Sequence, residues 1–495
     1  MHEAVGGPHS RRAFLRLTLI GLGATSAASL LAACGPAAAP PSAAPTTAPA
    51  AAAAAAKPTT APAAAAPTTA PAAGAATATP APAAAIAGPT PTPYPVANFG
   101  STSAKVKIRY WTILGSVDGI VMNELVRKFA DANPDIGVES LQGVVDFPTK
   151  MEAAAISNTA PDVCIVRHTY IGPFASKNVL SELTQAELDQ VGIKAEDFDP
   201  TVWKFTQYQG KQYTVPLDIH AHAMMYDKAI LAANNLKVPT TTDDWLSTVK
   251  TVTKGDVLGY NTFNIGRGAQ EFLTWGWYTV ARQFGAEMVT PDGTKAAFNT
   301  PEGIAAVQWM HDMQQAGNPK AVPSGDLQRT GNVATWPDGP WIVTLYFDKT
   351  KSSAADDLDV AQMPQKDPAK KAVWAQSHQF ALPRQRNPDP AKREATLRFV
   401  KWMGEHSVDW AKAGQVPARN SARQEALTAE DPYLKKLQTW ASELPYAAFM
   451  PTFPKILEVM PRIAANVEGA LLNQWTVPEG LKKAEDEVNA ILAAP

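Results

Sequence analysis

Residues 105–166 read KVKIRYWTILGSVDGIVMNELVRKFADANPDIGVESLQGVVDFPTKMEAAAISNTAPDVCIV, and their pattern decides the fold. KVKIRYW alternates apolar and polar residues, the mark of a strand, and ends at Trp111. DGIVMNELVRKFADANP has helical spacing. Asp118 caps it, Ile120, Val121, Leu125, Val126 and Phe129 form an apolar stripe, and Asn133-Pro134 stops it. IGVESLQG predicts a second strand, and DFPTKMEAAAISN a second helix with Pro148 in its first turn. APDVCIV predicts a third strand, apolar enough to be buried on both faces, with Cys164 as an inert core thiol. The order β-α-β-α-β defines an α/β lobe on a mostly parallel sheet.

Downstream, a Gly210-Lys211 hairpin leads into PLDIHAHAMMYDK, Pro216 to Lys228. If this stretch is extended, Asp218, His220, His222 and Met224 share one face. One carboxylate and two imidazoles on a strand face suit a metal, acid–base chemistry or a polar ligand. NTPEGIAAVQWMHDMQQAG predicts a helix with Thr300 at its cap, Pro301 at the first position and Gly317 at its close. DPAKREATLRFVKWM and VPEGLKKAEDEVNAIL predict two more, each with proline near the start, and no internal repeat is visible.

The front of the chain is of another kind. SRRAFLRL carries Arg11 and Arg12, an apolar run spans Leu17 to Leu31, and LAAC ends at Cys34. The run is shorter than the ~20 residues of a spanning helix, so residues 1–34 read as an export signal. S-R-R-x-F-L resembles a twin-arginine signal, and Leu31-Ala-Ala-Cys34 resembles a lipoprotein lipobox. By that resemblance Cys34 carries a lipid, palmitate included, and begins the mature protein. Residues 35–100 are Ala, Pro and Thr with few large apolar groups, a disordered tether. Its prolines favour extended chain of ~3.1 Å per residue, a reach of at most roughly 200 Å.

About 395 residues remain, more than the ~250–300 that one core sustains, so two lobes are expected. Setting aside Arg11, Arg12, Arg16, Lys57 and Glu3 leaves 40 basic and 45 acidic residues, a net of −5. No long basic run is present, which argues against nucleic acid as a partner. Cys164 alone accompanies Cys34, so no intramolecular disulfide is expected.

Six landmarks fall in one order: RYWT, APDV, YTVPLDIHAHAMMYDK, DGPW (Asp338–Trp341), SHQFALP and AGQVPARN (Ala413–Asn420). Together they resemble the extracellular sugar-binding lipoproteins of ABC importers, in the branch of maltose- and glycerol-phosphate-type binders. The resemblance implies a two-lobed periplasmic-binding-protein fold of Venus-flytrap type, with an interdomain cleft and three crossing segments. Lobe one comprises 101–213 plus 378–412, and lobe two 214–377 plus 413–495. The crossings fall at the Pro216–Lys228 stretch, near Gln376–His378 and near Gly414–Arg419. The resemblance further implies a monomer without cofactor or catalysis, anchored on the extracytoplasmic face of the membrane, that delivers a carbohydrate to ABC permease subunits.

A sugar offers hydroxyls that donate and accept, and flat C–H patches on which indoles stack. All 13 tryptophans lie beyond residue 100. By family position Asp218 accepts hydroxyl protons, Trp341 stacks and Arg419 donates, the three converging on one gap. Trp111, His168, His220, Trp336, Asp338, Gly339 and His378 form a second rank. In TWGW, if extended, Trp275 and Trp277 divide between core and cleft. His222 reads as a satisfied hinge residue. Two departures from the family pattern, CIVRH with His168 and SHQF with a bulky His378, set the ligand apart from a standard disaccharide. Two other functions stay open. One is metal capture by Asp218, His220 and His222, joined by His168 or His378. The other is a glycoside hydrolase pairing Asp218 with Asp338 or Asp146.

Overall fold

The computed structural model describes residues 96–495, apart from 116, 262–264, 266–269 and 323–324. The signal, lipobox and tether readings through residue 95, Cys34 included, lie outside the described residues.

The strands β1 (Val96–Phe99), β2 (Val106–Trp111), β3 (Ile136–Leu141) and β4 (Val163–Arg167) open the first sheet. β2 runs parallel to β3 and β4, as the β-α-β-α-β pattern requires. β1 corrects the tether boundary at residue 100, because Val96–Phe99 pair antiparallel with Phe99↔Val138 through Val96↔Leu141. Backbone pairing on an open sheet edge needs no apolar run, so composition does not mark it.

The helix Val117–Ala132 buries Met122, Leu125, Val126 and Phe129, while Ile120 is 73% exposed. The buried stripe is therefore rotated from the expected one. The second helix, Phe147–Ser157, carries proline in its first turn and closes on Asn158 in the left-handed region. Cys164 is buried in β4, and burial pushes its thiol well above the usual range.

A hairpin of β5 (Gln207–Tyr208) and β6 (Lys211–Gln212) turns through Gln209 and Gly210, both at positive φ. The chain then runs through β7 (Thr214–Pro216), β8 (Asp218–Ala221) and β9 (Ala223–Asp227), which belong to three different sheets. β7 closes the far edge of the first sheet, where Pro216 costs no ladder bond to a further strand. The first sheet thus holds the chain through residue 216, three residues past the expected boundary.

The second lobe's sheet adds β10 (Leu258–Tyr260), β11 (Val333–Asp338) and β12 (Leu358–Ala361) in the order β10-β11-β9-β12. The return is made by β13 (Val373–Gln376) and β14 (His378–Ala381), broken only at Ser377. β14 pairs antiparallel with β4 and β7, completing the first sheet as β1-β3-β2-β4-β14-β7. The last strands, β15 (Val416–Pro417) and β16 (Ala447–Phe449), complete a third sheet, β15-β8-β13-β16. All three crossings therefore meet side by side at this small sheet.

Candidate ligand-binding site

The joint between the lobes is made by backbone pairing. Val416↔Ile219 and Pro417↔Asp218 tie the third crossing to the first, and Gln376↔His220 ties the first to the second. The breaks at Leu217 and His222 are bridged by bonds from Leu217 N–H to the His378 carbonyl (2.9 Å) and from His222 N–H to the Trp374 carbonyl (3.2 Å).

A cleft of about 350 Å³ opens over this joint. His220, Gln376, His378 and Gln415 from the crossing segments line it. Asp118 and Arg167 come from the first lobe, and Phe272, Trp275 and Trp341 from the second. The three rings form a corner: Phe272 lies 4.7 Å from Trp275, and Trp341 stands at 64–68° to both, 6.0 and 6.3 Å away. Trp374 backs the corner, stacked on Trp275 at 4.3 Å and 15°.

Two glycines make room for Trp341. A Cβ on Gly339 would collide with its indole ring, and a Cβ on Gly414 would collide with the Pro340 carbonyl. Gly414 also sits at φ +87°, a left-handed conformation that L side chains rarely adopt. The DGPW and AGQV motifs are thus two halves of one contact. Asp338 is half-buried, and burial pushes its carboxyl up to about 7 against the Gly339 N–H and the indoles of Trp336 and Trp341.

Beneath the floor lies Asp218, fully buried. Its Oδ1 accepts from His378 N–H (2.9 Å) and His220 Nδ1 (3.1 Å). Its Oδ2 accepts from His378 Nδ1 (2.8 Å) and Trp410 Nε1 (2.8 Å). Burial alone would raise this carboxyl, but His378 and His220 hold it well below the usual carboxylate range. His220 is lowered by burial, with the Asp218 contact opposing.

The structure brings together Trp341, His220, His378 and Trp275 from the expected set. It corrects the rest of the proposed convergence. Asp218 supports the floor instead of meeting the gap. Arg419 is outside the cleft lining; its guanidinium pairs with Asp197 at 3.1 Å and lies over Phe198 at 5.8 Å. Asp197 is far away in sequence, so this partner was invisible from the PAR motif. Trp277 is core, edge-on to Phe298 at 5.6 Å. TWGW is helical, within Gln270–Phe284, and two helical steps still divide the tryptophans between cleft and core. His168 is fully buried and bonds the Met450 carbonyl at 3.2 Å; burial, opposed by that bond, takes it down to about 3. Trp336 packs on Tyr346, and Trp111 on the apolar cluster of the first lobe. Asp338 and Gly339 shape the Trp341 turn without lining the cleft.

Arg167, Phe272, Gln376, Gln415 and Trp410 went unpredicted. The alternation Trp374, Gln376, His378 along VWAQSH was a readable signal for Gln376, whereas Trp410 carried none.

Asp218, His220 and His378 offer ligand atoms within 4.8 Å of one another, so His378 takes the place expected of His222. His222 instead packs on Trp374 at 4.4 Å. A carboxylate has about four lone-pair sites, and all four here hold donors. A cation held by these three residues would have to replace the Nδ1 protons that bind both imidazoles to the carboxylate, so the arrangement fits a hydrogen-bonded knot better than a metal centre.

Comparison with known proteins agrees with this architecture. The family model "Bacterial extracellular solute-binding protein" matches residues 116–409, and the chain belongs to that family. It works, accordingly, on the extracytoplasmic side of the membrane. Its relatives include the maltotriose-binding protein of Pyrococcus abyssi, 20% identical over 77% of this chain and 82% of that one. Among solved structures, the cyclic α-maltosyl-1,6-maltose binding protein of Arthrobacter globiformis is similar, with TM-score 0.66 and 24% identity, covering 79% of this chain and 99% of that one. UgpB of Mycobacterium tuberculosis, in complex with glycerophosphocholine, gives TM-score 0.67 at 19% identity, covering 78% and 98%. These likenesses establish the two-lobed solute-binding fold.

Proposed function

We propose that this protein captures an uncharged mono- or oligosaccharide and hands it to the membrane subunits of an ABC importer. The observation that carries the reading is the aromatic corner of Phe272, Trp275 and Trp341 set against a floor of unpaired donors and acceptors. Among the described residues, Trp275 Nε1 and Arg167 Nε are buried donors without a partner, and Gln415 Oε1 is such an acceptor. Buried polar groups left unpaired are costly, and hydroxyls, which donate and accept, satisfy a mixed set. The C–H faces of a sugar ring fit the indoles.

Charge selects among sugars. Arg167 is the cation of the described lining, and both Glu271 oxygens hold its Nη1 at 2.7 Å. Asp118 adds a carboxylate. A phosphate or carboxylate ligand thus meets no unpaired cation there. This sides with the relatives named for malto-oligosaccharides over the one bound to glycerophosphocholine.

The described lining carries one carboxylate, Asp118, whereas glycoside hydrolysis needs two about 5–9.5 Å apart. We therefore read the protein as a receptor, not an enzyme. Completing the proposal are a monomer, a twin-arginine-type signal, a lipid on Cys34 and the tether that follows it.

Titration calorimetry with glucose, maltose, maltotriose, glucose 6-phosphate and glycerophosphocholine tests the reading. A neutral sugar should bind near micromolar, about −8 kcal/mol, and the phosphorylated compounds far more weakly. Tightest binding by a phosphorylated compound, or no binding by any neutral sugar, overturns it.

A further inference from the structure

Asp218 is not itself part of the cleft lining, yet all three crossings converge on it. His220 comes from β8, His378 from β14, and Trp410 from the segment leading into the third crossing. An ionised carboxylate only accepts, so an imidazole nitrogen that bonds to it must carry the proton. Both contacts are made by Nδ1. In neutral imidazole a protonated Nδ1 leaves Nε2 bare, and the partner of one nitrogen sets the role of the other.

We propose that Asp218 is a positioning residue that locks His220 and His378 in the Nδ1–H tautomer, so that the floor of the cleft meets the ligand with acceptors. His378, whose ring lies 4.7 Å from that of His220, presents bare Nε2 directly to the cleft it lines. His220 Nε2 faces the Gln376 amide oxygen at 3.4 Å, while the Gln376 amide nitrogen has no partner among the described residues. Amide oxygen and nitrogen exchange by a half-turn of the side chain. That half-turn lets the Gln376 N–H donate to His220 Nε2 and leaves the Gln376 oxygen as a further acceptor. The chain Asp218–His220–Gln376 then carries one polarity from the joint to the cleft, and the ligand supplies hydroxyl protons. His222 and His168 lie close enough to His220 to interact with it, and the Arg167–Glu271 pair and Asp118 complete the charged surroundings. Among the described residues, none of these hydrogen-bonds Nδ1 of either ring.

The use made of the acceptors rests on the carbohydrate reading, but the tautomers do not, and they are measured without sugar. Long-range ¹H–¹⁵N correlation spectra of the full chain, labelled at histidine and held at pH 8, report which ring nitrogen bears the proton. His220→Gln and His378→Gln assign the two rings. Both should show protonated Nδ1 and the resonance of a bare Nε2. A proton on Nε2 of either ring overturns the proposal. In Asp218→Asn one acceptor oxygen replaces two, so at least one ring should lose its fixed tautomer. Two unchanged rings in a folded Asp218→Asn also overturn it, because a packing role for Asp218 predicts that result. Should that variant not fold, the unsubstituted chain still decides.

Discussion

Trp341 on the wall of the cleft and Asp218 beneath its floor are held by different forces. The wall is fitted by shape: Gly339 and Gly414 vacate the space the indole and its turn occupy, and Phe272 and Trp275 meet it at steep angles. The floor is fitted by hydrogen bonds, four of them on one buried carboxylate. Loss of a ring from the wall leaves a local gap that water can enter. Loss of the carboxylate strands donors from every chain segment that joins the lobes. Damage to the wall should therefore fall on affinity, and damage to the floor on the integrity of the joint.

Asp218→Ala should produce the largest effect, a loss of about 3–5 kcal/mol in stability by denaturant unfolding, the usual cost of removing one side of a buried charged network. Unfolding at wild-type denaturant concentration would falsify the knot. Trp341→Ala should weaken the best-binding neutral sugar by about tenfold to a hundredfold, roughly 1.4–2.7 kcal/mol, while stability moves less than in Asp218→Ala. Equal affinity in the two proteins would take Trp341 off the wall.

The smallest effect concerns the support of that wall. The folded Asp338 carboxyl lies at about 7, above the ordinary value of about 4. The folded chain holds this proton more tightly than the unfolded chain does. Its contribution is complete below about pH 4 and is lost as pH rises through about 7. Asp338→Asn removes that loss, so the variant should gain thermal stability relative to wild type between pH 5 and 8. Parallel pH profiles for the two proteins would remove the burial argument at Asp338.

Much of the first lobe was legible because its elements are local. A helix or a parallel strand writes its period into a dozen residues, and KVKIRYW through PDVCIV does so. The Ile120 stripe failed because the neighbours of a helix, not its spacing, choose which edge of an apolar face is covered. In the site, DGPW and SHQF marked Trp341 and His378 only through their place in the order of family-like motifs. Arg419 and Asp218 misled for the opposite reason: each is polar at a crossing, and each found its partners within the protein. Trp410 and Arg167 joined the site through contacts 192 and 104 residues away along the chain.

By itself the sequence determined an α/β chain of two lobes, an unusual number of indoles, and a carboxylate and imidazoles on one strand. Those properties follow from side-chain period and chemistry, which are local. Only the tertiary structure decided that the carboxylate faces inward to four protein donors, and that His220 meets the cleft beside His378 from another strand while His222 packs on Trp374. That choice depends on which buried hydrogen bonds can all be made at once, and their donors come from segments far apart in the chain.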